Sequence, residues 1–337
     1  MRTPAFWWRA RPSLLARLLQ PIGVIYGAIT AHRMGRPGAE PPCPVVCIGN
    51  LTAGGAGKTP VAIAIADLLR AHHETPYVLS RGYGGHLAGP VVVAPNTHHA
   101  EAVGDEPLII ARRVPIVVSR DRPAGALLAR AEGASVIVMD DGLQNPSLVK
   151  TVTFAVVDGA AGFGNGLCVP AGPLRASLPA QLPHVDAFIT VGRGPGHAAI
   201  LDIAGHRPVF TGDLVPEAEI AAGLRGKRFL AFAGIGRPEK FFATLRHVGA
   251  EVAGEAPFGD HRPYTPADLK ALAARAEALD ARLVTTEKDA ARLGDAIRHL
   301  PGLIVLPVRF RPDDEAGLAA FLLGWLRKTQ QGRKRPG

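Results

Sequence analysis

The sequence predicts an α/β protein with a mostly parallel sheet flanked by helices and a second, smaller α/β lobe. Short apolar runs alternate with helical segments from residue 44 to residue 191, and a second alternation begins near Lys227. A glycine-rich loop lies between the first apolar run and the helical segment that follows it. Strands that alternate with helices form parallel sheets covered on both faces, and ligands bind beyond the carboxyl ends of such strands.

The glycine-rich loop is typical of a phosphate-binding loop. A strand predicted at Pro44–Ile48 runs into the segment from Gly49 to Pro60, and a helix is predicted directly afterwards, to residue 71. The glycines let backbone N–H groups converge on a polyphosphate, and the helix adds the positive end of its dipole. In this pattern Lys58 reaches the β- and γ-phosphates and Thr59 offers its hydroxyl to Mg²⁺. The alternative is a glycine-rich turn in which Gly-Lys-Thr occurs by chance.

This loop places the main lobe in the P-loop NTPase-like class. Thr52 departs from the usual pattern, which has a glycine at that position. The residues expected to hold the nucleotide phosphates are Thr52, Ala53, Gly54, Gly55, Ala56, Gly57, Lys58 and Thr59.

The other elements follow in chain order. In the main lobe we predict strands at 77–79, 91–93, 115–118, 136–139, 154–157 and 187–191 and a helix at 122–132. In the second lobe we predict strands at 229–233, 282–285 and 303–308 and helices at 239–248 and 268–279, with 205–226 as a candidate linker. The expected regions are a basic, aromatic N-terminal region at 1–40, a P-loop domain at 41–212, a second lobe at 213–326 that contributes to a cleft, and a tail at 327–337.

Composition excludes several classes of protein. The net charge of +9 is concentrated at the ends, because residues 1–40 and 327–337 together hold eleven cations and one acid, while the rest of the chain holds 27 cations and 28 acids. A nucleic-acid surface would spread charge over a folded face with aromatic residues interleaved, so we expect no nucleic-acid partner and a disordered basic tail. Three cysteines without metal-ligand spacing favour reduced thiols in a cytosolic setting.

The N-terminal region combines aromatic, apolar and basic residues. Two of the three tryptophans lie in Phe6-Trp7-Trp8, and leucines and isoleucines follow among arginines. Arg17, Gln20 and Pro21 interrupt the apolar run, which makes it a poor transmembrane span and a poor signal peptide. The pattern favours a helix that lies in a bilayer surface. An ordinary helix packed on the body of the protein is the alternative, and the two are compatible.

Several polar motifs fall at predicted strand ends or loops. The apolar strand at 136–139 ends in Asp140 and Asp141, the kind of acids that hold Mg²⁺ beside a nucleotide. Arg81 and Tyr83 lie in a glycine-rich loop after the strand at 77–79, and Arg175 ends the segment that begins at Pro170. The alternative for each motif is a common loop without a function: an acidic turn after a strand, or a glycine-rich turn with a solvated arginine. By itself, Gly104-Asp105-Glu106-Pro107 indicates a turn and the start of a helix at Asp105. By themselves, Asp260 and His261 indicate a helix-capping pair.

Together these segments resemble the tetraacyldisaccharide 4′-kinase family of lipid A biosynthesis. They run in family order from about residue 1 to residue 326, and the family shares Thr52. The matching stretches are 49–60, 80–84, 104–107, 140–144, 172–175, 233–238 with Phe241-Phe242, 260–261 and 285–289.

The resemblance implies a kinase that transfers the ATP γ-phosphoryl group to the 4′-hydroxyl of a tetraacylated glucosamine disaccharide 1-phosphate, with ATP and Mg²⁺ as cofactors. It implies that Asp105 and His261 act as a pair across the cleft, with Lys58 as a further catalytic residue. Thr59 and Asp140 or Asp141 would hold the metal. Candidate substrate contacts are Arg81, Tyr83, Asn145 and Arg175. Asn145 stands where the family often has histidine, and an asparagine can donate a hydrogen bond to a phosphate or sugar oxygen but cannot carry charge.

The resemblance also gives the N-terminal region a purpose. A substrate with four acyl chains lies in a bilayer, so we expect a peripheral enzyme at the anionic cytoplasmic face of the inner membrane. No obligate protein partner is indicated. Two alternative hypotheses for the function remain: a P-loop nucleotide switch or metallochaperone without phosphoryl transfer, and a kinase of a soluble acceptor.

Overall fold

The computed structural model describes residues 4–333 of the chain, and side chains to residue 329. Its strands, in chain order, are β1 (Val45–Gly49), β2 (Pro76–Ser80), β3 (Val91–Val92), β4 (Ile116–Val118), β5 (Val136–Asp140), β6 (Val152–Asp158), β7 (Ala187–Val191), β8 (Val209–Pro216), β9 (Arg228–Ala233), β10 (Glu251–Pro257), β11 (Arg282–Thr286), β12 (Ile304–Leu306) and β13 (Val308–Pro312).

The α-helices within the same residues are α1 (Leu14–Met34), α2 (Lys58–Ala71), α3 (Ala100–Val103), α4 (Asp105–Ala111), α5 (Arg122–Ala131), α6 (Leu178–Gln181), α7 (Pro195–Ala204), α8 (Ala218–Leu224), α9 (Pro238–His247), α10 (Pro266–Ala278), α11 (Glu287–Leu293) and α12 (Glu315–Arg333). Short 3₁₀ helices occupy Ala5–Trp8, Leu182–His184 and Gly294–His299.

The strands form two sheets. Over residues 4–333 the larger one has nine strands in the order β13-β8-β7-β6-β1-β5-β2-β4-β3, and the smaller one has four in the order β10-β9-β11-β12. Pairing is parallel except where β13 meets β8 and β3 meets β4. The α/β class with a mostly parallel sheet flanked by helices is therefore confirmed. β1 lies in the middle of the larger sheet, between β5 and β6.

The larger sheet is covered on both faces, which explains its continuous apolar strands. Val46 and Ile48 of β1 pack with residues of α2, α4 and α12 in one core cluster. Val45 packs on the other face with residues of α5. Because successive side chains point to opposite faces of a strand, a central strand must be apolar at every position.

The fold differs from the sequence prediction mainly in partly exposed segments. The candidate linker at 205–226 is wrong, since it contains all of β8 and all of α8. The boundary expected at 212–213 falls inside β8, and β13 and α12 return to the larger sheet after the smaller one is complete. The prediction of a disordered tail is wrong for 327–333, which continue α12, while residues 334–337 lie outside the described part.

The N-terminal segment packs on the larger sheet unit through small residues. Ala16, Gly23, Gly27, Thr30 and Met34 form the buried stripe of α1, while its large apolar side chains are exposed. The helix continues through Pro21, and by length and composition alone its 21 residues would be sufficient to cross a membrane. Only 17% of its most apolar stretch is buried against the rest of the protein.

Preceding α1, the turn of Ala5–Trp8 is held against both sheet units. The indole N–H of Trp7 donates to the Pro170 carbonyl at 2.9 Å. The guanidinium of Arg237 lies 5.8 Å from the ring centre of Trp8 and also pairs with Asp158 at the end of β6. The N-terminal turn therefore meets a side chain of the smaller sheet unit.

Helix glycines offer a direct test of this packing. A Cβ at Gly23 would lie 2.7 Å from the Cys168 carbonyl oxygen, whereas a Cβ at Gly324 in α12 would meet nothing within 4 Å. We expect Gly23→Ala to lower the free energy of unfolding by about 1–3 kcal/mol through overpacking. Gly324→Ala should raise it by about 0.5–1 kcal/mol because alanine loses less backbone entropy. Denaturant titration of both variants measures this, and equal effects would refute the packing of α1.

Candidate active site

The glycine-rich loop joins the end of β1 to the start of α2. Gly57 precedes α2 with a φ of 86°, a conformation that favours glycine. Gly49 admits no side chain, because a Cβ there would lie 2.4 Å from the Leu143 Cβ. Inside the loop, the buried Asn50 side chain donates to the Thr52 carbonyl at 2.5 Å and to the Gly54 carbonyl at 3.3 Å. The loop is thus braced from within before any ligand binds.

Thr52 has a structural reason to differ from glycine. It forms a β-bridge with Leu174, and the Ala53 N–H donates to the Pro173 carbonyl at 2.6 Å. The Arg175 N–H in turn donates to the Leu51 carbonyl at 3.0 Å. An extended residue with a branched side chain suits this strand-like pairing. The phosphate loop and the loop that carries Arg175 therefore form one unit.

Asp140 and Asp141 follow β5, the strand next to β1. Asp140 is buried, and burial, reinforced by the charges of Glu106 and Asp141, raises its pKa to about 7. Its Oδ1 lacks a hydrogen-bond partner among the described residues, whereas Oδ1 of Asp141 lies 3.0 Å from Arg175 Nη1. A cation at this position would stabilise the ionised form of Asp140.

Two cations face Asp141. Lys58 Nζ lies 3.6 Å from its Oδ1, and both terminal nitrogens of Arg175 lie 3.1 Å from its Oδ2. Burial alone would raise the pKa of Asp141, but Lys58 and Arg175 outweigh it and hold the pKa at about 2. Asp141 is therefore a carboxylate at neutral pH, in contact with the lysine of the phosphate loop.

Gln181, which the sequence analysis did not single out, connects these loops. Its buried amide nitrogen donates to the Leu51 carbonyl at 3.2 Å and to the Ala176 carbonyl at 2.6 Å. Its oxygen accepts from Gln144, which also donates to the Asn50 carbonyl and accepts from Arg175. Gln181 has no sequence signal of its own, because it occupies a one-turn helix far along the chain.

Asp105 and His261 meet across the two sheet units. Asp105 is the first residue of α4, and His261 lies in the loop after β10 with a φ of 56°. His261 Nδ1 lies 3.2 Å from Asp105 Oδ2. The hydrogen bond to Asp105 raises the pKa of His261. Burial opposes ionisation of Asp105, but His261, Lys288 and Arg292 hold its pKa well below the usual range.

Residues of α11 also reach this carboxylate. Lys288 pairs with Glu106, next to Asp105, and Arg292 Nη2 lies 3.1 Å from Asp105 Oδ2. Lys288 lies in the family-matching stretch 285–289 but has no role predicted from the sequence, and Arg292 lies outside every matching stretch. The spacing of Arg292 three residues after Asp289 on a helix is the signal that could have indicated it.

The other candidate residues have different surroundings. The Tyr83 ring packs edge-on against the His261 ring, with 5.6 Å between ring centres. Arg81 is exposed. The Asn145 side chain accepts from the Ser147 N–H at 2.8 Å, which closes its own turn.

Comparison with known proteins identifies relatives over nearly the whole chain. Residues 15–327 match the family described as tetraacyldisaccharide-1-P 4′-kinase. A protein named tetraacyldisaccharide 4′-kinase from Methylorubrum extorquens (strain PA1) is 56% identical over 92% of this chain and 95% of its own length. One of the same name from Methylobacterium radiotolerans is 56% identical over 97% of this chain and 99% of its own.

A solved structure shares the fold. The crystal structure of LpxK from Aquifex aeolicus in complex with ATP superposes with a TM-score of 0.69, covering 93% of this chain and 100% of that one. The two sequences are 24% identical, so this likeness concerns the fold.

The bridging role of Gln181 can be tested against a buried hydroxyl elsewhere. We expect Gln181→Leu to lower the free energy of unfolding by about 1–3 kcal/mol, since two buried carbonyls lose a donor. Nucleotide affinity should also fall by about 10- to 100-fold, because the loops at 51–53 and 174–176 lose their common support. Titration calorimetry with ATP measures the affinity, and scanning calorimetry measures the stability.

Thr285→Val is the matched control. Thr285 donates to the Phe232 carbonyl at 2.8 Å inside the smaller sheet. The Thr285→Val variant should show a comparable decrease in the free energy of unfolding but keep its affinity for ATP. Equal loss of affinity in the two variants would contradict the role of Gln181.

Proposed function

The chain belongs to the tetraacyldisaccharide-1-phosphate 4′-kinase family, and from this membership we infer its reaction. It transfers the γ-phosphoryl group of ATP to the 4′-hydroxyl of a tetraacylated glucosamine disaccharide 1-phosphate, giving the 1,4′-bisphosphate in lipid A biosynthesis. The observation that carries this is the family match over residues 15–327, joined to a phosphate loop in the expected place between β1 and α2.

We propose that the segment from Thr52 to Thr59 holds the ATP phosphates. Backbone N–H groups of the loop and the N-terminus of α2 suit a polyphosphate. Lys58 and Arg175 supply positive charge to neutralise the phosphoryl oxygens as the bond to the leaving oxygen lengthens.

The donors beside this loop fit Mg²⁺. The described residues contain no group of three or more histidine, cysteine or acidic side chains that would form a metal cage. Mg²⁺ is commonly held by one or two carboxylates together with substrate phosphates and water. The unpartnered Oδ1 of Asp140 and the hydroxyl of Thr59 would hold it, together with a carboxylate oxygen of Asp141, which Lys58 and Arg175 also face. The ion would neutralise phosphate charge.

We propose that Asp105 accepts the proton of the 4′-hydroxyl. In the transfer, the sugar oxygen forms a bond to the γ-phosphorus, the bond from that phosphorus to the β–γ bridging oxygen breaks, and ADP leaves. The proton passes to the Asp105 carboxylate, which His261 orients through its Oδ2. A carboxylate of low basicity suits a loose transition state, in which the proton moves late.

This assignment predicts the effect of removing either member of the pair. Asp105→Ala and His261→Ala should each lower kcat by about 10²- to 10⁴-fold, the usual loss of a general base or its partner, while ATP affinity persists. Transfer of label from γ-labelled ATP to the acylated disaccharide measures kcat, and calorimetry measures ATP binding.

His247→Ala, a change of an exposed histidine on α9, is the control and should be fully active. Near-normal turnover of either site variant would remove that residue from the mechanism. ATP consumption by the intact protein that is unchanged by the acylated disaccharide would favour the nucleotide-switch reading, and transfer to a soluble sugar alone would favour a soluble acceptor.

We propose that the protein is peripheral to the cytoplasmic face of the inner membrane, with α1 against the anionic surface. The exposed face of α1 carries apolar side chains such as Leu18 and Ile25, which are 77% and 61% exposed. Arg9, Arg11 and Arg17 are exposed around it. Apolar insertion and attraction to anionic lipid act together on such a helix.

A charge-matched pair of variants tests this proposal. Leu18→Glu with Ile25→Glu should reduce flotation with anionic vesicles at least about tenfold, since each buried side chain of this size contributes about 1.5–3 kcal/mol. Leu127→Glu with Leu201→Glu adds the same charge at residues that are 63% and 56% exposed on α5 and α7. Equal flotation of the two double variants would rule out α1 as the membrane contact.

A further inference from the structure

Arg292 is a buried cation of the smaller sheet unit that reaches a carboxylate of the larger one. Its side chain is 7% exposed. Nη1 donates to the Gly234 carbonyl at 3.0 Å and to Asp289 Oδ1 at 3.1 Å. Nη2 donates to Asp105 Oδ2 at 3.1 Å. One guanidinium thus joins the β9–α9 loop, α11 and α4.

Asp289 fixes the position of Arg292. It is completely buried, and its Oδ1 accepts from the Gly234 N–H at 2.9 Å and from the Tyr264 hydroxyl at 2.7 Å. Its Oδ2 accepts from the Thr286 hydroxyl at 2.6 Å. A carboxylate with this many donors has one orientation, so the guanidinium that it holds has little freedom.

The two oxygens of Asp105 are therefore not equivalent. Oδ2 faces both His261 Nδ1 and Arg292 Nη2. Within residues 4–333, Oδ1 accepts one hydrogen bond, from the Glu106 N–H at 3.0 Å. A carboxylate oxygen has two lone-pair sites, so Oδ1 keeps one for an acceptor hydroxyl.

We propose that Arg292 is a positioning residue of the phosphoryl transfer. It selects Oδ1 of Asp105 as the oxygen that takes the proton, and it does so from the smaller sheet unit. This inference rests on the proposed function and adds a residue of that unit, besides His261, on which the geometry of the base depends.

Charge and orientation make separate contributions. The groups that face Asp105 and His261 are Lys288, Arg292 and Asp260, with Glu106 and Lys58 behind them. Loss of a positive charge favours the protonated form of both Asp105 and His261. The base would then be protonated over a wider range, and the acid limb of the profile of kcat/KM against pH would move to higher pH.

The test uses two substitutions of the full chain. Arg292→Met should lower kcat about 100-fold, the scale of a misplaced reacting group, and move the acid limb up by about one pH unit. Arg292→Lys keeps the charge but cannot bridge Asp105 and Asp289 as a planar fork. It should therefore lower kcat while the acid limb stays where it is in the wild type.

Arg113→Met is the matched control for docking of the two units. Arg113 Nη2 lies 3.0 Å from Glu287 Oε1, in the same contact between α11 and the end of α4, without touching Asp105. Thermal melting of each variant checks that it folds. If Arg292→Met does not fold, Arg292→Lys alone tests the proposal, because an unchanged kcat in Arg292→Lys would overturn it.

The outcomes separate cleanly. A uniform loss of kcat/KM at every pH in Arg292→Met, matched by Arg113→Met, would mean that Arg292 only docks the units and would overturn the inference. Failure of the wild type to phosphorylate the acylated disaccharide would instead overturn the proposed function.

Discussion

Burial of carboxylates at the carboxyl edge of the larger sheet is the constraint on which the site depends. Asp105, Asp140 and Asp158 are all buried there, and the side chain of Asp141 is half-buried. A buried charge is costly unless it is paired and hydrogen-bonded. The cations that offset these acids come from distant segments: Lys58 from α2, Arg175 from the loop before α6, Lys240 from α9 and Arg292 from α11.

The same constraint explains why the two sheets belong to one site although each has its own apolar core. The cores of the smaller unit form separate clusters. Contacts between α11 and the segment around α4 combine ion pairs, Arg113 with Glu287 and Lys288 with Glu106, with the apolar packing of Ala291 in the core of the larger unit. Interfaces that are partly polar permit relative movement of two units more readily than extended apolar interfaces do.

The sequence predicted those parts of the molecule in which local chemistry and burial agree. β1, β5 and β7 are buried along their whole length and mainly apolar, and the phosphate loop has a recognisable pattern at the end of β1. The sequence did not predict β8 and β10, because these strands are partly exposed and contain glycine and acidic residues. The contacts of Gln181 with Leu51 and of Arg292 with Asp105 join residues more than a hundred positions apart, so no local pattern could indicate them; only the pairing of Arg292 with Asp289 has a local spacing.

The bridge between Thr52 and Leu174 has a consequence for inhibition and resistance. The backbone of the phosphate loop at 51–53 is held in place by hydrogen bonds with the loop at 173–175. A compound that forms hydrogen bonds with the backbone N–H and C=O groups there would depend little on side chains, which mutation can change. Escape by substitution would have to disturb the strand-like pairing itself, so a bacterium would lose protein stability together with drug sensitivity.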